Sequence, residues 1–267
     1  MRAVAWGSIG FVVIVGWGWP TVAAIAVLAG APLPRQSHGS TDADLLHELF
    51  KLNGVAWTAG VAVLAAILMR AFAGRPPRAI AWARGALTVP IGLTVMAFAF
   101  VALAGVSVVF HLEQNNYPWP GIEGAPAMIL ATIDAGLPGP SEELALTGLV
   151  VVALRRADVG WGWVYLVAVA VRIPFHLYYG WGVLAFAFWP VAFVYLYRRT
   201  GAIWGLVAAH TVYDLAAFLS AYEVVPDAPQ LRNVFAAAAI VVIVLVPGVR
   251  SIVRDRTKRR QRAENVL

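Results

Sequence analysis

Long apolar runs alternate with short polar loops along nearly the whole chain. A bilayer core needs about 20 apolar residues per spanning helix, and on that measure roughly eight crossings fit. The predicted spans are 4–30, 54–73, 85–110, 124–154, 159–179, 182–198, 201–221 and 232–253. Residues 44–52 carry apolar side chains at helical spacing, which predicts an interfacial helix on the outer surface. The predicted fold class is all-α, a polytopic membrane helical bundle of about eight transmembrane helices.

Composition and charge support this class. The 267 residues are 61% hydrophobic and only 13% charged, far from the average soluble domain. The net charge is +6, but the arginines gather at the ends of apolar runs and in a basic tail after residue 253. That distribution is typical of membrane orientation. It therefore predicts membrane lipids as partners and no nucleic acid.

The basic loops also predict an orientation, because arginine and lysine accumulate on the cytoplasmic side of a membrane. Loops of one parity carry arginines, whereas loops of the other parity are acidic. The arginine markers are Arg75, Arg78, Arg84, Arg155, Arg156, Arg198, Arg199 and the basic tail. Both termini are therefore predicted to be cytoplasmic.

Several ionisable residues fall inside the predicted spans, where charges are costly and typical of functional sites, and five of them are the candidate site residues. They are Glu142, Glu143, His176, His210 and Asp214. Counting 1.5 Å per residue from the arginine markers places them roughly 16 to 25 Å deep, at a similar level in the outer half of the membrane. Side chains from three different helices are therefore predicted to share one polar cavity.

Prolines interrupt two of these helices. Pro138 and Pro140 exclude a regular helix, so a break is predicted within a single passage over 124–154. Ser141 is predicted to cap the helix that follows, leaving free backbone N–H groups near the glutamates. Pro174 is predicted to bend the next helix just before His176.

The motifs themselves resemble those of a known family. EELALTGL is followed after about thirty residues by FH, and after a similar interval by HTVYD. These blocks, over about 125–220, resemble the CPBP family of intramembrane proteases, also called the CAAX-protease and bacteriocin-processing or Abi family. The resemblance implies a catalytic core at 123–221, between N-terminal helices with their outer loops at 1–122 and a last helix with the basic tail at 222–267. Its likeness to bacterial members implies a multi-pass protein of a bacterial plasma membrane.

The resemblance implies an activity and residue roles. It implies an endopeptidase that cuts a membrane-associated protein or peptide, with Glu142 and His176 activating a water molecule. It also implies that His210 and residue 214 stabilise the oxyanion, and Asp214 is expected to orient His210 and hold it charged. Where the family has arginine four residues after the second glutamate, this chain has Thr147. We expect Arg172, one turn before His176 on the neighbouring helix, to supply the missing guanidinium to Glu143.

Two questions remain open at the level of sequence. A divalent metal such as zinc, held by Glu142, His176 and His210, is compatible with the residues but not required by them, since the chain has no HExxH motif. The activity is accordingly that of a metalloendopeptidase or of a glutamate-type protease. The alternative functions are an inactive membrane scaffold or immunity-type protein that binds a partner through the same polar cluster, and a transporter with a polar midplane site.

Overall fold

The computed structural model describes residues 1–32, 43–73, 80–115, 117, 122 and 125–222. The predicted helix 232–253, the basic tail and the markers Arg75 and Arg78 lie outside these residues. Within the described part of the chain every element is helical, which confirms the all-α helical bundle.

Three long helices come first: α1 (Arg2–Leu28), α2 (Ala43–Ala73) and α3 (Ile80–Val109). The predicted interfacial segment 44–52 is not a separate helix, because α2 continues through it without a break into the predicted span 54–73. An interrupted passage follows, made of α4 (Ala125–Gly136), α5 (Pro138–Glu142), a π-helical segment (Glu143–Leu149) and α6 (Val150–Arg156). Then come α7 (Trp161–Arg172), two 3₁₀ segments (Pro174–Tyr179 and Trp181–Ala187), α8 (Phe188–Thr200) and α9 (Ile203–Ala221).

The structure has six stretches long and apolar enough to cross a membrane among the residues it describes. They are Arg2–Leu28, Asn53–Ala73, Arg84–Val109, Ala127–Arg156, Trp181–Thr200 and Ile203–Ala221. Every predicted span before residue 222 coincides with a helical stretch. The predicted span 159–179 is not counted among the six, because its regular helix ends at Arg172 and continues only as a 3₁₀ turn after Pro174.

The surface of these helices is itself apolar. Large hydrophobic side chains on α1 and α3 are mostly exposed, among them Ile14 at 71% and Leu87 at 70%. Exposed apolar surface of this extent is expected where lipid, not water, is the solvent. The chain is therefore a multi-pass membrane protein.

Two hydrophobic clusters hold the bundle together. The first joins α1 and α2 to the π-helical segment, α6 and α7, and the second joins α3 to the 3₁₀ segments, α8 and α9. The interrupted passage is part of the first cluster and contacts both α2 and α9, so its polar residues are enclosed by helices from both halves of the chain.

Very small residues bring α9 close to its neighbours. A Cβ at Gly139 would overlap the backbone of α9 at Val207 and Thr211, and one at Gly205 would overlap the backbone oxygen of Gly85 on α3. Close approach of this kind is typical of helix packing in membranes. It fixes the position of α9, which carries His210 and Asp214, against the interrupted passage.

Candidate active site

Glu143 lies at the centre of the polar cluster and is completely buried. Its Oε1 accepts hydrogen bonds from Arg172 Nη1 at 2.8 Å and from His210 Nδ1 at 2.7 Å. Its Oε2 accepts a hydrogen bond from Thr147 Oγ1 at 2.7 Å. Three donors thus surround one carboxylate, which is the arrangement that makes a buried charge tolerable.

The pairing of Glu143 with Arg172 follows the expectation from sequence. Arg172 is the last residue of α7, and its guanidinium is 1% exposed. The guanidinium carbon lies 4.6 Å from the centre of the Trp189 ring, a cation–π distance. Arg172 Nε and Nη2 have no hydrogen-bond partner among the described residues. The cation is therefore held by one carboxylate oxygen and one indole ring.

His210 lies between two carboxylates. Its Nδ1 faces Glu143, and its Nε2 lies 3.2 Å from Oδ2 of Asp214, one turn further along α9. Carboxylates accept hydrogen bonds, so both contacts are satisfied together only when both ring nitrogens carry a proton. Asp214 is the accessible member of this group, with 24% of its side chain exposed. This geometry suits the orienting role expected of Asp214.

His176 is connected to the cluster through the backbone. Its Nδ1 lies 2.9 Å from the carbonyl oxygen of Arg172, which can only accept, so Nδ1 carries the proton and Nε2 keeps its lone pair in the neutral ring. Aromatic rings surround the imidazole, namely Phe175, Tyr178, Tyr179, Phe186 and Trp189. His176 makes no hydrogen bond to Glu142 in the described structure.

Glu142 differs from its neighbour in having no partner. It is 8% exposed, and its Oε2 is buried without a hydrogen-bond partner among the described residues. Buried carboxylate oxygens are nearly always paired with protein or water, so this atom has unused capacity to accept a proton or a water molecule. Of the two adjacent glutamates, Glu142 is the one with a carboxylate oxygen that no described donor occupies.

The predicted cap at Ser141 is wrong. The short helix α5 begins at Pro138, and Ser141 lies inside it, with Oγ donating to the carbonyl oxygen of Leu137 at 2.9 Å. The two prolines have no N–H, and the N–H of Ser141 donates to Leu137 as well. The free backbone donors expected near the glutamates are therefore largely absent, and side chains supply the donors to Glu143.

Two further residues belong to the cluster although the sequence analysis missed them. In the sequence, Thr147 is notable only because the family has arginine at this position. Its hydroxyl donates to Glu143, one helical turn away, and this four-residue spacing is visible in the sequence. Trp189 is 1% exposed and contacts Arg172, His176 and His210 through its ring. No sequence signal distinguished it from the tryptophans that face lipid.

The arrangement does not fit a metal centre. In the part of the chain that the structure describes, no group of three or more His, Asp or Glu side chains is placed to hold a metal ion. His210 has both nitrogens engaged by carboxylates, so the predicted ligand set of Glu142, His176 and His210 is not assembled. Zinc binding stays a prediction, which chelation of the purified protein tests.

No curated protein and no solved structure shows significant similarity to the chain. A family described as type II CAAX prenyl endopeptidase Rce1-like does match. The matched segment contains every residue of the cluster described above. Residues 123–216 thus match the Rce1-like family, which confirms for this segment the resemblance to the CPBP intramembrane proteases.

Proposed function

We propose that the chain is an intramembrane endopeptidase in which Glu142 activates the attacking water. The observation that carries the proposal is the difference between the two adjacent glutamates. Glu143 is fully occupied by three donors, whereas Glu142 has a buried oxygen without a partner. A general base needs a lone pair that no donor occupies, and of the two glutamates Glu142 is the one with such a carboxylate oxygen among the described residues. The match to a family of endopeptidases supports the same reaction class.

The proposed reaction is a hydrolysis without a metal-dependent step. Water attacks the carbonyl carbon of the peptide bond while one of its protons passes to Glu142, and the carbonyl oxygen becomes an oxyanion. The C–N bond then breaks as the leaving nitrogen takes that proton from Glu142. His176, through its unoccupied Nε2, orients the water.

The oxyanion is proposed to form beside His210. The ring is held between Glu143 and Asp214, so it brings a positive charge whose position is set before the reaction by the contact of Nδ1 with Glu143. Its Nε2 contact to Asp214 is the longer of the two and involves the accessible carboxylate. A substrate oxygen would therefore compete for Nε2, while Nδ1 stays fixed by Glu143.

Comparative peptide analysis tests this proposal and does not require the substrate to be identified first. Membrane and secreted peptides are compared between a wild-type strain, a deletion strain and a Glu142→Gln strain. New peptide termini are expected only in the wild type. Glu113→Gln, a change at an exposed acid, is the matched control and should retain the termini.

One departure from the family motif favours the alternative that the chain is an inactive scaffold. Thr147 replaces the family arginine, although Arg172 restores a guanidinium at Glu143. If the chain is an inactive scaffold, the Glu142→Gln strain should have the same peptide profile as the wild type and should differ from the deletion strain in the same way. The amount of protein in the membrane should be normal.

A further inference from the structure

A second polar site lies at the end of the bundle where α2, α6 and α8 terminate and α7 begins. A cavity of about 430 Å³ opens there, lined by three arginines together with aromatic and aliphatic side chains. We propose that this cavity binds the phosphate of an anionic phospholipid headgroup. The proposal is independent of the proposed peptidase activity.

One tryptophan restrains the guanidinium groups of two of the three arginines of this cavity. The guanidinium carbon of Arg155 lies 4.8 Å from the centre of the Trp161 ring, and that of Arg198 lies 4.3 Å from the same ring. Arg155 Nη1 also donates to the carbonyl oxygen of Val159 at 2.5 Å. Guanidinium groups whose positions are already restrained lose less conformational entropy when they bind an anion.

Among the described residues, no side chain neutralises the charge of the cavity. None of the described lining residues is acidic, and Arg155, Arg156 and Arg198 form no ion pair with any residue that the structure describes. Asp158, the nearest acid in sequence, is exposed and outside the lining. Part of the positive charge offsets the negative helix ends of α6 and α8. Arg156 and Arg198, however, make no hydrogen bond to a described carbonyl group, so their donors are available to a ligand.

The rest of the lining distinguishes a lipid from a free anion. Phe72 and Val151 contribute hydrocarbon beside the guanidinium groups, and the cavity lies at the ends of membrane-spanning helices. A phospholipid presents both a phosphate diester and the start of its acyl chains at this depth. Basic pockets between transmembrane helices bind anionic headgroups in this way. An inorganic phosphate ion would leave the apolar half of the lining unused.

Native mass spectrometry of the purified full-length chain in detergent tests this inference. Retention of phosphatidylglycerol is titrated against retention of phosphatidylcholine for the wild type, Arg155→Gln, Arg198→Gln and Arg199→Gln. Arg199→Gln is the matched control. It removes the same charge from the same end of α8, and Arg199 contacts Tyr195 outside the cavity. Each cavity arginine should contribute about fivefold to the preference for phosphatidylglycerol.

The expected result is selective retention of phosphatidylglycerol by the wild type and by Arg199→Gln, with about fivefold weaker retention by each cavity variant. An equal loss in Arg199→Gln would overturn the proposal, because it would show only diffuse surface attraction. Equal retention of phosphatidylcholine would also overturn it, as would displacement of the lipid by millimolar inorganic phosphate, which would indicate a site for free anions. The two cavity variants test the same site independently, so misfolding of one leaves the other informative.

Discussion

Glu142 and Glu143 have the same side chain and adjacent positions, yet they occupy different environments. Glu143 turns towards α7 and α9, where Arg172 and His210 donate to it, and Glu142 turns to a position without donors. The Glu143 carboxylate has a structural role, and the Glu142 carboxylate is the one proposed to take part in the reaction. This separation of roles is the basis of the account at the scale of single residues.

Neutralising each glutamate in turn should affect stability unequally. Glu143→Gln leaves the buried Arg172 without its anion, so we expect the free energy of unfolding to fall by about 3–5 kcal/mol. Glu142→Gln removes no hydrogen bond and should change it by less than about 1 kcal/mol. Thermal unfolding of both purified variants in detergent measures the difference. Equal losses would show that the two carboxylates are not distinguished as described.

Thr147 offers a finer test at the same carboxylate. Thr147→Val keeps the shape of the side chain but removes the donor to Glu143 Oε2, and this should cost about 1–3 kcal/mol. Thr147→Ser retains the hydroxyl and serves as the control. If the valine variant is as stable as the serine variant, the hydrogen bond contributes nothing measurable.

Sequence reasoning reached part of this residue-scale picture. The Glu143–Arg172 pair could be predicted because Thr147 and Arg172 lie one turn from their respective motifs on helices of opposite direction. The contribution of Trp189 could not, because a tryptophan in an apolar run has the same local pattern whether it faces lipid or a buried cation. Only the packing of α8 against α7 and α9 distinguishes these cases.

At the scale of elements, interruptions in two helices position the residues of the site. The passage through residues 125–156 changes from α to π geometry at Glu143, and α7 gives way to a 3₁₀ turn that carries His176. The prolines made both interruptions predictable, since each removes a backbone donor. The π-helical segment had no comparable signal. Ser141 was misjudged because α5 begins four residues earlier than a serine cap at this position requires.

Glycine contacts of α9 should control the position of His210 and Asp214. Gly205→Ala places a methyl group against the backbone of α3, and we expect overpacking to cost about 1–3 kcal/mol. Gly105→Ala, on α3 where a Cβ meets no neighbour, is the control and should be tolerated. Thermal unfolding of the two variants provides the comparison, and equal stability would show that α9 does not depend on this close contact.

In the part of the chain that the structure describes, the molecule is a membrane bundle whose spanning helices have an apolar surface and enclose a polar cluster. The positions of the spans could be predicted from the length of the apolar runs, because the bilayer fixes that length. The sequence could not predict which helix faces enclose the cluster. That depends on the two hydrophobic clusters that join early and late helices around the interrupted passage.

Metal dependence is a property of the whole enzyme and can be measured directly. We expect treatment of the purified protein with a chelator to leave proteolytic activity unchanged, because no three described His, Asp or Glu side chains are placed to hold a metal ion. Metal content is measured on the same sample before and after treatment. Loss of activity together with loss of one equivalent of metal, restored by adding zinc, would contradict this expectation.

The central claim is that Glu142 activates water for cleavage of a peptide bond within the membrane. It is tested most directly by incubating membranes in water enriched in heavy oxygen and identifying the new peptide C-termini by mass spectrometry. We predict C-termini carrying heavy oxygen in membranes that contain the wild type or Glu113→Gln, and none of these in membranes that contain equal amounts of Glu142→Gln. The same labelled C-termini in the Glu142→Gln membranes would contradict the account.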